Sequence, residues 1–322
     1  MTCTDAFKNI NIVNWQGQLR VSPCCIAPAK DTDTVDFYNN PYLVKIREQW
    51  NNNVWPSECS NCKQAEDQGF TSKRQGAEQW YTDRGINNNS VELVRLDYWV
   101  GNLCNLACAI CGPANSSKWR EELKLPTELK KVNVNKFWKD LELTSLKFIH
   151  FHGGEPLLSK EHVEMLHSVP NKSSVQITYN TNGTVKADAD LLELWSQFKL
   201  VHIDFSIDDI GSRFEYQRYP ASWESVANNL QWYYENAPHN TMFGVNTTVS
   251  WLNQHSLTEL ENWLAQNFSV TKFTDPIEHR KQPAIGVLSC NNSPTAIKEY
   301  LDAIDNRRGT DWKKTFPDLR AD

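Results

Sequence analysis

The chain has 322 residues, 40% of them hydrophobic and 22% charged, which is enough to bury a core in about two domains or one large one. Its net charge of −6 comes from scattered acids and bases, so composition gives no support to nucleic-acid binding. No apolar run reaches the roughly 18–20 residues that span a bilayer. The start, MTCTDAFKNINIVNW, lacks the basic-then-apolar pattern of a secretory leader, so the nine cysteines point to metal binding or catalysis in a reducing, cytoplasmic setting.

In chain order, Cys3 comes first, then Gly17 in GQLRVSPCC with Cys24 and Cys25, then a helix-like YLVKIREQW, then Cys59 and Cys62 in CSNC. The polar segment Asp83–Ser90, DRGINNNS, reads as a linker. Beyond it the pattern alternates between strands and helices. Strands are expected at 91–100, 145–154, 174–183, 200–209 and 241–250, with a sixth near 284–288. Helical patterns fall at 118–123, 135–141, 160–168, 187–198, 223–236 and 257–267. Such alternation implies parallel strands with right-handed crossovers, and places functional loops at the strands' carboxyl ends. The distinctive residues lie there: CNLACAIC (104–111), HGGEPLL (152–158), NTNG (180–183) and FSIDD (205–209). His150 and His152 share one strand face, and His152 is placed to line a pocket or to serve as a hydrogen-bonded structural histidine. Cys290 is expected to be a buried thiol. The end of the chain, from Tyr300, reads as an amphipathic helix with a charged tail that packs on the core.

Three thiolates in one short loop favour soft metals: zinc, copper(I) or iron–sulfur clusters. A structural zinc site is four-coordinate and closed, so zinc would need a remote fourth ligand such as Cys290 or a histidine. A cubane cluster held by three thiolates instead leaves one iron open for a small molecule.

The Cys-x3-Cys-x2-Cys loop after the first strand, followed in order by HGGEP, TNG and FSIDD, resembles the radical S-adenosylmethionine (SAM) superfamily. The resemblance implies an α/β fold with a partial (β/α)6 TIM-like barrel at about 90–290, a small Cys-rich module at 1–85 and a C-terminal helix and tail at 291–322. It implies a [4Fe-4S] cluster on Cys104, Cys108 and Cys111 with SAM on the open iron. Gly153, Gly154 and Glu155 would hold the methionine end, and Asn180, Ser206 and Asp208 the ribose or carboxylate; Asn180 and Asp208 also read as turn caps. Ile110 stands where the family often has an aromatic residue, and Asn246 and Thr248 are weak counterparts of its adenine contacts. Reductive cleavage of SAM to a 5′-deoxyadenosyl radical would lead to hydrogen abstraction from a substrate.

The early cysteines resemble a SPASM/twitch module, which implies a second [4Fe-4S] cluster on Cys3, Cys24, Cys59 and Cys62, with Cys25 as the alternative to Cys24 and zinc as the competing metal. The module normally follows the core, and here it precedes it. The implied substrate is a peptide or protein that undergoes crosslinking, epimerisation or other maturation. The alternatives are a small molecule (sugar, nucleotide or amino acid) or a non-catalytic iron–sulfur or zinc protein, against which HGGEP counts. The implied partners are the substrate and an electron donor such as flavodoxin or ferredoxin, with no membrane.

Overall fold

The computed structural model describes residues 2–15, 18–87, 89–126, 140–268, 278–284 and 287–320. The chain begins with α1 (Thr4–Lys8), β1 (Asn9–Trp15), β2 (Gln18–Ser22), β3 (Lys30–Asp31), α2 (Pro41–Asn51), α3 (Ser60–Asp67) and α4 (Lys73–Thr82). Asn40 caps α2 through its side chain, and Ser72 opens α4 with a capping box to Gln75. The alternating part follows as β4 (Arg95–Trp99), α5 (Ser117–Glu122), β5 (Phe148–His152), α6 (Glu161–Ser168), β6 (Gln176–Thr181), α7 (Ala189–Ser196) and β7 (Leu200–Ser206). It continues through α8 (Gly211–Gln217), α9 (Trp223–Asn236), β8 (Thr241–Val249), α10 (Leu257–Asn267), β9 (Glu278–Pro283), α11 (Pro294–Arg308) and α12 (Trp312–Thr315).

One nine-stranded sheet runs in the order β3-β2-β1-β4-β5-β6-β7-β8-β9. The six strands from β4 to β9 are parallel and neighbour one another in sequence order, as the β/α alternation implies. The expected sixth strand lies earlier than the apolar stretch that suggested it. The polar residues of β9 pair with β8 as an edge strand, so ladder hydrogen bonds rather than hydrophobicity define it. The helix expected at 135–141 falls largely outside the described residues. The strands β1–β3 and the helix α8 were not anticipated. Since β1 pairs in parallel with β4, the sheet continues across the polar segment at 83–90.

Strands β4 to β7 alternate between apolar and polar side chains. Leu96, Tyr98, Ile149, Phe151, Ile177, Tyr179, Ile203, Phe205 and Val245 are buried in the main core, on the face covered by helices. The intervening Asp97, His150, Thr178 and His202 lie in register across β4–β7, followed one layer on by Asn180, Asp204 and Gly244. These belong to a polar face that lines a cavity of about 810 Å³, reached by residues from all six parallel strands. A single cavity touching six adjacent strands requires that face to be concave.

Candidate active site

The cysteine loop leaves the carboxyl end of β4 and is fastened from three directions. Ala107 and Ala109 donate backbone N–H bonds to Tyr219 (2.7 Å) and Gln217 (2.7 Å), so Cys108 lies directly across a short two-bond bridge from Arg218. Trp119 of α5 donates from its indole to the Cys108 carbonyl at 2.8 Å. From α11, Tyr300 donates to the Ala109 carbonyl (2.8 Å) and Arg308 to the Ala107 carbonyl (2.6 Å).

Cys108 is buried, and Cys104 and Cys111 are half-buried. Burial pushes the Cys104 thiol up to about 11, and it raises those of Cys108 and Cys111 as well, with neighbouring thiols adding to the rise at Cys104 and Cys108. Groups held this way keep their protons until a cation replaces them. Among the described residues, no three Cys, His, Asp or Glu side chains converge on a single ion. Cys108 lies close enough to Cys104, Cys111 and the buried Arg218 to interact with each electrostatically.

The loop's backbone explains the glycine pair. Gly154 donates to the Gly101 carbonyl (2.8 Å) and Glu155 to that of Leu103 (2.7 Å). A Cβ on Gly154 would stand 2.2 Å from the Leu103 oxygen, and one on Gly153, whose φ is +128°, would stand 2.7 Å from the Gly101 oxygen. The close approach demanded here is therefore to the cysteine loop itself.

Glu155 is fully buried. Its carboxylate accepts from the Leu157 N–H (3.1 Å), the Thr181 hydroxyl (2.8 Å) and the Asn182 N–H (2.7 Å). Burial raises its carboxyl to about 7 against the pull of these donors. It thus ties the GGEP turn to the TNG turn, leaving little capacity for an outside ammonium. Asn182 in turn reaches the Asn105 side chain (3.0 Å) and the Cys104 sulfur (3.9 Å). Neither Asn182 nor Arg218 was singled out from sequence; Asn182 sits inside the TNG motif, whereas no motif marks Arg218.

Asp208 is buried and paired with Arg218 at 2.8 Å, and it accepts from the Thr248 N–H at 2.8 Å. Ser206 is half-buried at the end of β7. Asn180 lines the concave cavity, as does Asn246, rather than joining Asp208. Beneath His150 and Arg95, which line that cavity, burial would raise Asp97, but His150 (Nδ1–Oδ1 3.6 Å) and Arg95 (2.9 Å) overcome this and hold it well below the ordinary carboxylate range. Asn9 of β1 also donates to Asp97 (3.1 Å). His150 and His152 stack with ring centroids 5.0 Å apart, and burial drives His152 down to about 3, so it is neutral near pH 7. Opposite, Asp204 contacts His202 (3.3 Å) and Arg280 (3.3 Å), above Gly244, where a Cβ would stand 2.2 Å from the carboxylate.

At the far end of the sheet, Cys3, Cys24, Cys59 and Cys62 line one small enclosed cavity with Trp50 and Trp55, whereas Cys25 is exposed and absent from its wall. Burial lifts Cys24 to about 12 and Cys59 to about 11, and raises Cys3. Cys290 is exposed, contrary to the buried thiol expected, because it lies in a polar turn before α11. No helix among the described residues is long and apolar enough to cross a membrane.

The family model described as Radical SAM superfamily matches residues 99–250. A GTP 3′,8-cyclase of Vibrio parahaemolyticus serotype O3:K6 is 28% identical over 173 residues, which is 51% of this chain and 48% of that protein. The chain thus spans about half the length of this curated relative. Among solved structures, anSMEcpe with bound AdoMet aligns over 67% of this chain and 62% of its own, at 16% identity and a TM-score of 0.44. SuiB of Streptococcus suis bound to S-adenosylmethionine aligns over 96% and 71%, at 12% identity and a TM-score of 0.41.

Proposed function

We propose that this chain is a radical SAM enzyme that uses a second iron–sulfur cluster and modifies a peptide or protein by hydrogen abstraction. The observation that carries this reading is the set of four early cysteines on one enclosed cavity, at the end of the sheet opposite the cysteine loop. Residues 1–85 would form the auxiliary module and 90–290 the core.

Radical SAM enzymes pair SAM with a [4Fe-4S] cluster, which supplies a 5′-deoxyadenosyl radical when a donor delivers an electron. The chain's own residues bind and orient. Cys104, Cys108 and Cys111 hold the cluster. Gly153 and Gly154 bring the turn against the cysteine loop, and their carbonyls, rather than the occupied Glu155 carboxylate, would accept from the SAM ammonium. Ser206 faces the nucleoside, while Asp208 acts through Arg218. Asn180, His150, His202 and Asp204 position the substrate in the concave cavity. Cys3, Cys24, Cys59 and Cys62 hold the second cluster; the exposure of Cys25 favours Cys24 as the ligand. Four thiols spread around a cavity suit a cluster better than zinc, whose ligands must meet within about 2.3 Å of one ion.

The resemblance to a GTP 3′,8-cyclase favours a second reading, a small molecule such as a nucleotide, in the same ion-lined cavity. One experiment separates the two. The anaerobically reconstituted chain is given SAM and dithionite with either short peptides encoded beside it or GTP, and products are read by mass spectrometry. Modified peptide supports the first reading and a new nucleotide the second. Loss of 5′-deoxyadenosine formation is expected in Cys104→Ala/Cys108→Ala/Cys111→Ala; its persistence would sink the site assignment.

A further inference from the structure

We propose that Arg218 is a positioning residue for the cluster on the cysteine loop: lying across the loop from Cys108, it turns an otherwise unpartnered Nε–H toward a cluster sulfur and raises the reduction potential. This rests on the reading of Cys104, Cys108 and Cys111 as cluster ligands.

Three observations converge on it. The first is placement. The backbone bonds from Ala107 to Tyr219 and from Ala109 to Gln217 flank residues 108 and 218, which sets their backbones opposite one another. The second is burial. Arg218 is only 6% exposed, in a part of the fold where a charge is costly unless compensated. The third is incomplete satisfaction. A guanidinium carries five N–H donors; Asp208 takes one end at 2.8 Å, while Nε, also buried, has no acceptor. Asp208 cannot swing to serve it, because the Thr248 N–H holds its side chain and Asn253 its backbone carbonyl.

A donor and a positive charge facing the thiols are what an anionic cluster would use. Arg218 already opposes the upward push of burial on Cys108 and Cys111, so its positive charge is felt at both thiols. Hydrogen bonds to cluster sulfurs and nearby positive charge favour the more negative, reduced state. Accepting one electron would therefore be easier with Arg218 than without it. The arginine falls between α8 and α9, outside every recognisable motif.

The test is a potentiometric titration of the full reconstituted chain without SAM, followed by electron paramagnetic resonance, with iron counted in each sample. Arg218→Met should keep the loop's iron and lower its midpoint by at least tenfold in the reduction equilibrium, 59 mV for one electron. Arg218→Met combined with Asp208→Asn removes both charges together and should show the same downward shift. A wild-type midpoint in that double variant would mean that Arg218 serves only to neutralise Asp208, and would overturn the proposal. If the methionine variants lose iron, Arg218→Lys decides: it keeps the charge but lacks the Nε–H, so a lowered midpoint is expected and an unchanged one refutes the donor. A wild-type chain that cleaves no SAM and shows no loop cluster instead overturns the underlying reading.

Discussion

Glu155 holds three donors with two oxygens while fully buried, and that conflict has a measurable sign. Its carboxyl titrates near 7 in the fold against an ordinary value of 4.5. Stability from this group is therefore complete below about pH 4.5 and is lost as pH rises toward 7, by roughly 3 kcal/mol at 1.4 kcal/mol per unit. His152 and His162, driven down to about 3 and 4 by burial, act in the opposite sense, costing stability as pH falls below 6.5. Comparing urea unfolding of Glu155→Gln with the parent isolates the glutamate: the difference in stability should depend on pH between 4.5 and 7, and a flat difference would contradict the buried clamp. The neighbouring glycine gives a steric prediction. Gly154→Ala sets a Cβ against the Leu103 oxygen and should cost about 3 kcal/mol or displace the loop. Iron on the loop would fall sharply while far-ultraviolet circular dichroism is retained. The motif was legible as HGGEP, but the role of its glutamate was not, because its partners Thr181 and Asn182 become neighbours only when β5 and β6 pair.

At the scale of elements, α11 clamps the cysteine loop from outside. Tyr300 and Arg308 donate to the carbonyls that flank Cys108 on either side, and Arg308 is held in turn by Glu122 at 2.9 Å. Tyr300→Phe with Arg308→Met should speed iron loss to a chelator several-fold without altering the glycine turn at 153–154. Equal release rates would show that the loop holds itself. The sequence marked this tail as packing, since an amphipathic pattern names a face and not its partner. The strands were more legible. RLDYW, FIHFH, QITYN and LVHIDFS alternate between apolar and polar, whereas parallel strands covered on both faces would be apolar throughout. That alternation is the written form of the concave polar face. The edge strand β9, EHRKQP, has no such pattern, and pairing with β8 alone defines it.

Across the whole molecule, the sheet sets the two groups of cysteines at opposite strand ends. The loop follows the carboxyl end of β4. Cys3 precedes β1, and Cys24 follows the end of β2 that pairs with the start of β1. Asn9 of β1 joins the Pro23 carbonyl (3.0 Å) to Asp97 (3.1 Å), which is held by the cavity-lining Arg95 and His150. The N-terminal residues therefore stand beside the first strand of the alternating part because β1 inserts next to β4, a placement that no linear ordering of motifs reveals. Cys59→Ala/Cys62→Ala should remove about half of the iron while SAM cleavage continues. Full iron retention would exclude these two as ligands, and zinc in their place would replace the second cluster.

The pairing of β1 with β4 also bears on how this protein can be dissected. In the whole chain β4 is an interior strand, with a neighbour on each side. A fragment starting at residue 90 would turn it into a bare sheet margin, its five residues presenting unmatched amides and carbonyls just before the loop that carries the thiols. Such margins recruit strands from other molecules. The early residues thus act as a selvage for the woven sheet, and a trimmed catalytic core would be expected to clump before it could be assayed.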